Sequence, residues 1–220
     1  MRKFGRIYKY DERDYKVRSF AKPYWLPIRK FWGSRWFGDQ GVTPQCVGYA
    51  VAHLLEASPI RQYVNPSALY QFAQYIDEWE GENYAGTSVR AGVKVLSRLG
   101  FVKEYAWLST AEDVQTYIAS TGPVVLGVNW YDSMMTPQKY KLNNAYHYVL
   151  SISGKSFGGH AILADGTSGE WIRLKNSWGR VWGERGRAYI HKDELQRLLN
   201  EEGEACVLLE QCPLSLTITK

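Results

Sequence analysis

Cys46, His160 and Asn176 lie far apart in the chain, yet together they are the residue types of nucleophilic catalysis. Cys46 stands in "TPQCVGYAVAHLLEAS", where Thr43 reads as a helix N-cap and Pro44 as the first helical residue. The thiol then falls in a first turn, where backbone N–H groups lack partners and the helix end is partly positive, and both favour a thiolate. Such a nucleophile needs a base. Of the 4 histidines, His53 is seven residues further along the same helix, about 10 Å by helical rise and too far to take the proton. His147 alternates with tyrosines in "AYHYVL" and reads as sheet surface, and His191 in "YIHKDE" reads as a strand end or cap. His160 follows two glycines in "SFGGHAILADG", opening an apolar strand where small neighbours admit another segment and the strand fixes the ring. Sixteen residues on, Asn176 in "LKNSWGRVWGERGRAYI" can hold the tautomer of that ring, with Trp178 placed to cover the bond. A lone helical Cys is more often a small core hydrophobe, and an Asn at a strand end a turn former. The functional reading therefore rests on the three occurring together.

The elements that must position them are legible in the punctuation. Besides the Cys46 segment, "NPSALYQFAQYIDEW" reads as a helix capped by Asn65 with Pro66 at its first position, burying Leu69, Phe72 and Ile76. "TSVRAGVKVLSRLG" runs from a Thr/Ser start to Gly100, burying Val89, Val93 and Leu96. "STAEDVQTYIAS" is a fourth, shorter helix, with Thr110 and Asp113 resembling a capping box. After Gly122-Pro123 the runs become short and β-rich: "PVVLGVNWY", "GHAILADGT", "WIRLKNSW", "RAYIH" and "ACVLLE". Helices first and strands after predict an α+β chain, a helical lobe against a sheet or barrel lobe, with a cleft suited to an extended ligand between them. The expected organisation is a basic N-terminal arm over 1–22, a mainly helical lobe over 23–120 carrying Gln40 and Cys46, and a mainly β lobe over 121–220 carrying His160 and Asn176.

Composition narrows the partners. The net charge of +5 is carried by residues 1–22, with eight Lys/Arg against three Asp/Glu, leaving nineteen of each sign in the body. A neutral body argues against nucleic-acid binding. No apolar run approaches the ~18 residues of a membrane span, and the charged start is no secretory signal peptide. With 3 cysteines, Cys46, Cys206 and Cys212, there is no disulfide framework. Cys206 and Cys212 could bridge, though two reduced buried thiols is the simpler reading. Neither spacing nor nearby histidines suggests a metal site, and no cofactor is expected. Alternation in "FGRIYKY" sets Phe4, Arg6, Tyr8 and Tyr10 on one side of an extended strap. Its aromatics are expected to pack on the body while Lys and Arg face water or an acidic partner. At this length the arm is read as a permanent part of the protein rather than a blocking segment.

Taken together, these residues resemble the papain-like cysteine peptidases. In that family a Gln precedes the catalytic Cys by six residues and an Asn-Ser-Trp-Gly segment follows the catalytic His by sixteen; here these are Gln40 and Cys46, His160 and Asn176 to Gly179. The resemblance implies a two-lobe papain-like fold, with Cys46 as nucleophile in an ion pair with His160, Asn176 orienting His160, and Trp178 shielding that bond. The Cys46 N–H and the Gln40 amide would form the oxyanion hole. It implies a hydrolase cleaving peptide or protein substrates through a Cys46 thioester. Gly86 matches a Gly that presents backbone to an extended substrate, and small residues at Gly158, Gly159 and Ala161 suggest room for a bulky apolar side chain in the adjacent pocket. The chain departs from the pattern at Pro44, Gln45 and Val47 around the nucleophile and at Gly159 before the His. It also lacks the structural cysteines of secreted members, which points to a bacterial or phage-type member in the cytoplasm or within a phage or viral assembly. Two other readings share the scaffold: another Cys–His acyl-transfer enzyme such as a cell-wall peptide amidase or transpeptidase, and a catalytically silent structural module.

Overall fold

The computed structural model describes residues 2–11, 29–81, 84–142 and 144–211. Three helices lead: α1 (Cys46–Glu56), α2 (Pro66–Ile76) and α3 (Val89–Arg98), with α4 (Ala111–Ser120) after them and α5 (Lys192–Asn200) near the end. The strands are β1 (Arg29–Phe31), β2 (Val102–Leu108), β3 (Val124–Tyr131), β4 (Gln138–Leu142), β5 (Ala145–Leu150), β6 (Ser156–Ser168), β7 (Trp171–Lys175), β8 (Arg187–His191) and β9 (Glu204–Gln211). They form one sheet in the order β2-β9-β3-β6-β7-β8-β5-β4, with β1 added along β6.

Strand periodicity explains how one sheet serves two cores. In β3, Val124, Leu126, Val128 and Trp130 join one apolar cluster while Val125 joins the other. In β6, Ile162 and Ala164 face the first and Ala161 and Leu163 the second; Ala205 and Val207 against Cys206 and Leu208 repeat this in β9. Successive side chains point to opposite faces, so strands buried on both faces read as unbroken apolar runs. One face is covered by α1, α2 and α3, the other by α4, α5 and the tryptophans Trp130, Trp178 and Trp182.

The helix termini follow their capping chemistry with one exception. Asn65 accepts from the N–H groups of Ser67 and Ala68, Ser88 from Ala91, and Thr110 from Asp113. The exception is α1. Thr43 is not its cap, because the Thr43 hydroxyl and N–H both bond to the Gln40 carbonyl in a turn. The helix opens at Cys46 itself, with Gln45 before it and no side-chain cap. The first half is also less helical than its sequence suggests, since β1 and β2 enter the sheet from it, pairing with β6 and β9.

Candidate active site

Helix α1 packs its N-terminus against β6, and this brings Cys46 to the strand that carries His160. Three backbone N–H groups, of Ala161, Gly5 and Val47, face the Cys46 sulfur. His160 pairs across the ladder with Val128 and its ring turns to the opposite face of the sheet from Ala161, among Trp130 and Trp178 at centroid distances of 4.7 and 5.1 Å. Its Nε2 lies 2.8 Å from the Asn176 Oδ1. A carbonyl oxygen can only accept, so Nε2 carries the proton and Nδ1 holds the basic lone pair. That Nδ1 is buried and has no hydrogen-bond partner among the described residues. Asn176 is itself held, its Oδ1 also accepting from the Ser177 N–H at 2.8 Å, and Trp178 is 2% exposed over the pair.

Gln40 is fixed from both ends. Its Oε1 accepts from the Ser177 hydroxyl at 2.6 Å and its backbone N–H donates to the Ser177 carbonyl at 2.8 Å. That fixes the amide orientation and aims Nε2 at the Thr43 carbonyl, 2.7 Å away, and at the Lys3 carbonyl, 3.0 Å away. Ser177 was legible in sequence only as part of the Asn-Ser-Trp-Gly segment; its task here is to orient Gln40.

The N-terminal arm occupies this site. The Arg6 N–H donates to the Gly159 carbonyl at 3.1 Å, the Ile7 N–H to the Thr87 carbonyl at 2.9 Å, and the Thr87 N–H to the Gly5 carbonyl at 2.8 Å, a parallel bridge. Phe4 lies against His160, Trp178 and Phe157, and Arg2 pairs with Asp39. Gly5 passes so close to Pro44 that a Cβ would sit 1.8 Å from the Pro44 carbonyl oxygen. The expectation that the basic side chains face outward is corrected at Arg6, which is 5% exposed and ion-paired to Glu204 at 2.9 Å. The arm fits despite its shortness because it lies extended along the Thr87 edge and needs no folded unit of its own. Residues 12–28 lie outside the described part of the chain.

Burial sets the protonation states in this arrangement. Desolvation pushes the Cys46 thiol up, against the pull of the surrounding N–H groups. The His160 imidazole is pushed down to about 4, also by burial, with the Asn176 bond opposing. With the arm in place burial therefore works against the ion pair expected from sequence, raising the thiol and lowering the imidazole.

Other residues fall as follows. Gly86, at φ 109°, donates its N–H to the Tyr70 hydroxyl and accepts at its carbonyl from the Gln74 Nε2, and its lack of a Cβ clears space for the Gly5 carbonyl while Thr87 makes the backbone pairs. Thr87 was read in the sequence only as part of a helix start. Gly159 does meet the arm. His53 is buried under Trp36 and accepts from the Gly38 N–H, His147 pairs with Glu184 on the sheet, and His191 ends β8 and caps α5. Cys206 is buried in β9; Cys212 lies outside the described residues. Among the described residues no His/Cys/Asp/Glu group could hold a metal ion, and no helix is long and apolar enough to cross a membrane.

A family model described as papain family cysteine protease matches residues 66–207, a stretch holding His160 and Asn176 but starting after Gln40 and Cys46. The chain belongs to that family. It is similar to a gut-specific cysteine proteinase of Caenorhabditis elegans, 34% identical over 100 residues, which is 43% of this chain and 28% of the relative's length. Among solved structures, xylellain, a cysteine protease from Xylella fastidiosa, superposes with a TM-score of 0.76 at 21% identity, covering 96% of this chain and 98% of the other. Digestive procathepsin L2 of Tenebrio molitor larval midgut gives 0.66 at 15%, covering 94% and 78%. ProCathepsin B S9 of Trypanosoma congolense gives 0.68 at 14%, covering 94% and 86%. These likenesses establish the α+β papain-like fold.

Proposed function

We propose that the protein is a cysteine peptidase hydrolysing peptide bonds in peptide or protein substrates, and that the full chain is latent while its arm lies over the site. The carrying observation is the Lys3 carbonyl, a peptide carbonyl of the chain itself, accepting from the Gln40 amide beside Cys46. In the reaction, His160 Nδ1 takes the Cys46 proton and the sulfur attacks a peptide carbonyl. The developing oxyanion is met by the Gln40 Nε2–H and the Cys46 N–H at the open end of α1. The imidazolium, steadied by Asn176, protonates the leaving nitrogen, and water then hydrolyses the thioester with the roles reversed. A neutral amide suits residue 40, since a carboxylate there would repel the oxyanion. A division at 120/121 would set Gln40 and Cys46 on one side and His160 and Asn176 on the other, although β1 and β2 join the same sheet as the later strands. This reading of the arm as a cover replaces the expectation that it is a permanent part of the protein rather than a blocking segment.

The experiment, run on the Gly5→Ala chain to unseat the arm, is labelling with an epoxide-type thiolate alkylator, followed by peptide mapping. An adduct at Cys46 that is absent in His160→Ala, together with peptide hydrolysis abolished by Cys46→Ala, supports the reading. Hydrolysis surviving Cys46→Ala refutes it, and a labelled Cys46 without hydrolysis of any peptide favours the silent-module alternative.

A further inference from the structure

A single carboxylate holds the edge on which the arm is seated. Thr87 commits both backbone groups to the arm, its N–H donating to the Gly5 carbonyl at 2.8 Å and its carbonyl accepting from the Ile7 N–H at 2.9 Å. Its hydroxyl donates instead to the Asp77 Oδ2 at 2.7 Å. Asp77 directly follows α2, and the same carboxylate accepts from the Tyr84 hydroxyl and, at 3.1 Å, from the Trp79 N–H. An ionised carboxylate only accepts and has lone pairs for several donors, so one side chain gathers three points of the segment that follows it. Other residues of α2 complete the hold. Tyr70, Gln74 and Asp77 are spaced by four and three residues, the interval of one helix face. The Tyr70 hydroxyl accepts from the Gly86 N–H at 2.9 Å, and the Gln74 Nε2 donates to the Tyr84 and Gly86 carbonyls at 3.0 and 3.2 Å. Glu78 accepts from the hydroxyl of Ser88, the N-cap of α3, at 3.2 Å. Thr87 and Ser88 are fully buried. Cys46 and Cys206 are both free, so no disulfide among the described residues shares this task.

We propose that Asp77 is a positioning residue, which fixes Thr87 so that its N–H and carbonyl together meet the backbone of an extended peptide. It acts through Thr87 and not on the peptide itself. Thr87 must present a donor and an acceptor to one chain at once, and hydrogen bonds weaken steeply when either is turned away. Without Asp77 the buried Thr87 hydroxyl loses its acceptor, which costs about 1–3 kcal/mol. A threonine hydroxyl in that position turns toward a neighbouring backbone group, and the peptide planes beside it turn with it. On the peptidase reading, on which this last step rests, the same edge seats the backbone of a substrate. Asp77 then governs how tightly a peptide is held, whatever its side chains, and not the breaking of its bond.

The first test reads the backbone pairing itself and needs no turnover. The full chain carries Gly5→Ala, to unseat its own arm, and Cys46→Ala. A fluorescent peptide with the sequence of residues 2–10 is titrated by anisotropy, and so is its depsipeptide analogue, in which oxygen replaces the Ile7 N–H that meets the Thr87 carbonyl. The amide peptide should bind roughly fivefold or more tightly than the ester, and Asp77→Ala should bring that ratio close to one. Thr87→Val removes only the hydroxyl and should do the same, which keeps the proposal refutable if Asp77→Ala does not fold. Asp77→Asn, still an acceptor, should retain part of the ratio. Failure of both peptides to bind, or a ratio near one before Asp77 is changed, would overturn the proposal. So would a ratio that survives Thr87→Val, or equal weakening of both peptides in Asp77→Ala, the mark of a merely structural role. The second test uses the Gly5→Ala chain with Cys46 in place and fluorogenic peptides. Asp77→Ala should raise KM several-fold and leave kcat within about twofold; a fall in kcat with KM unchanged would refute the step to substrates. No hydrolysis by the Gly5→Ala chain, with the amide-to-ester ratio behaving as expected, would overturn only the peptidase reading.

Discussion

Gly5→Ala is the sharpest probe of the arm. The substitution adds one methyl group at a point where its carbon would stand 1.8 Å from the Pro44 carbonyl oxygen and 2.4 Å from the carbonyl carbon. Both neighbours are backbone, held by the turn that leads into α1, so no rotamer change relieves the overlap. The arm must move by more than an ångström there, and hydrogen bonds weaken steeply over such a shift. On either side of Gly5 lie the Gln40–Lys3, Arg6–Gly159, Ile7–Thr87 and Thr87–Gly5 bonds. Losing two or three of these at about 1 kcal/mol each removes roughly 2–3 kcal/mol from the seated state, a shift of about 30- to 150-fold toward the open one. The body should keep its melting temperature within a few degrees, because no core residue changes. Alkylation of Cys46 by iodoacetamide, followed by mass spectrometry under pseudo-first-order conditions, should accelerate by that factor, and peptide hydrolysis should rise in parallel. Unchanged labelling of Cys46 in a folded Gly5→Ala protein would show that the arm does not govern access, and the latency argument would fall.

The remaining expectations concern the residues beneath the arm. Cys46→Ala should abolish hydrolysis and Cys46→Ser nearly so; His160→Ala should be as severe, while His147→Ala keeps most activity, all read from kcat/KM in the Gly5→Ala background. Asn176→Ala should cost less than either, since it loosens a ring rather than removing a reacting group. Gln40→Ala should lower kcat by about two to three orders of magnitude, the cost of one oxyanion donor, and Gln40→Glu by at least as much. Acid should weaken the fold. The buried His160 stays neutral down to about 4, whereas an unfolded imidazole takes its proton near 6.5. Its contribution is thus present above that value and lost as pH falls toward 4, about 2 kcal/mol of it by pH 5. Thermal denaturation at pH 7 and pH 5 should show a smaller drop for His160→Gln than for the parent; His53, depressed by the same burial, keeps its share in both. Equal drops would mean that His160 does not titrate as argued.

The site and the fold were legible to different depths, for physical reasons. Local chemistry was readable: Asn65, Ser88 and Thr110 cap as their types require, and Gly100 ends α3 with φ 78°. The order and spacing of Cys46, His160 and Asn176 were readable because each role demands one residue type. α5 was not read although Leu195, Leu198 and Leu199 stand at helical spacing, because "KDELQRLLN" is short and the rest of it is polar or charged. β4 was not read because "QKYKL" is mostly solvent-facing and has no apolar alternation, whereas the alternation around His147 in "AYHYVL" did read as sheet surface. Glu204 was hidden for another reason. An acidic residue at the head of an apolar strand looks like a solvated strand end until the chain shows, 198 residues away in sequence, what it faces.

That long-range pairing also bears on how reactivity is restrained. The burial that disfavours charge on Cys46 and His160 is completed by Phe4 on one side and Gly5 on the other. Desolvation raises a thiol and lowers an imidazole, so covering the pair moves both away from the charged form needed for attack. Uncovering it returns water to the sulfur and leaves the open end of α1 and the Ala161 and Val47 N–H groups to favour thiolate. On the proposed reading the arm would oppose catalysis twice, by occupying the place of a substrate and by disfavouring the charged forms of Cys46 and His160. The two effects separate in pH. A segment that only blocked would lower the labelling rate of Cys46 equally at every pH. One that also desolvates should shift the labelling profile of the parent to higher pH than that of Gly5→Ala, and superimposable profiles differing only in height would leave steric occlusion as the whole of its action.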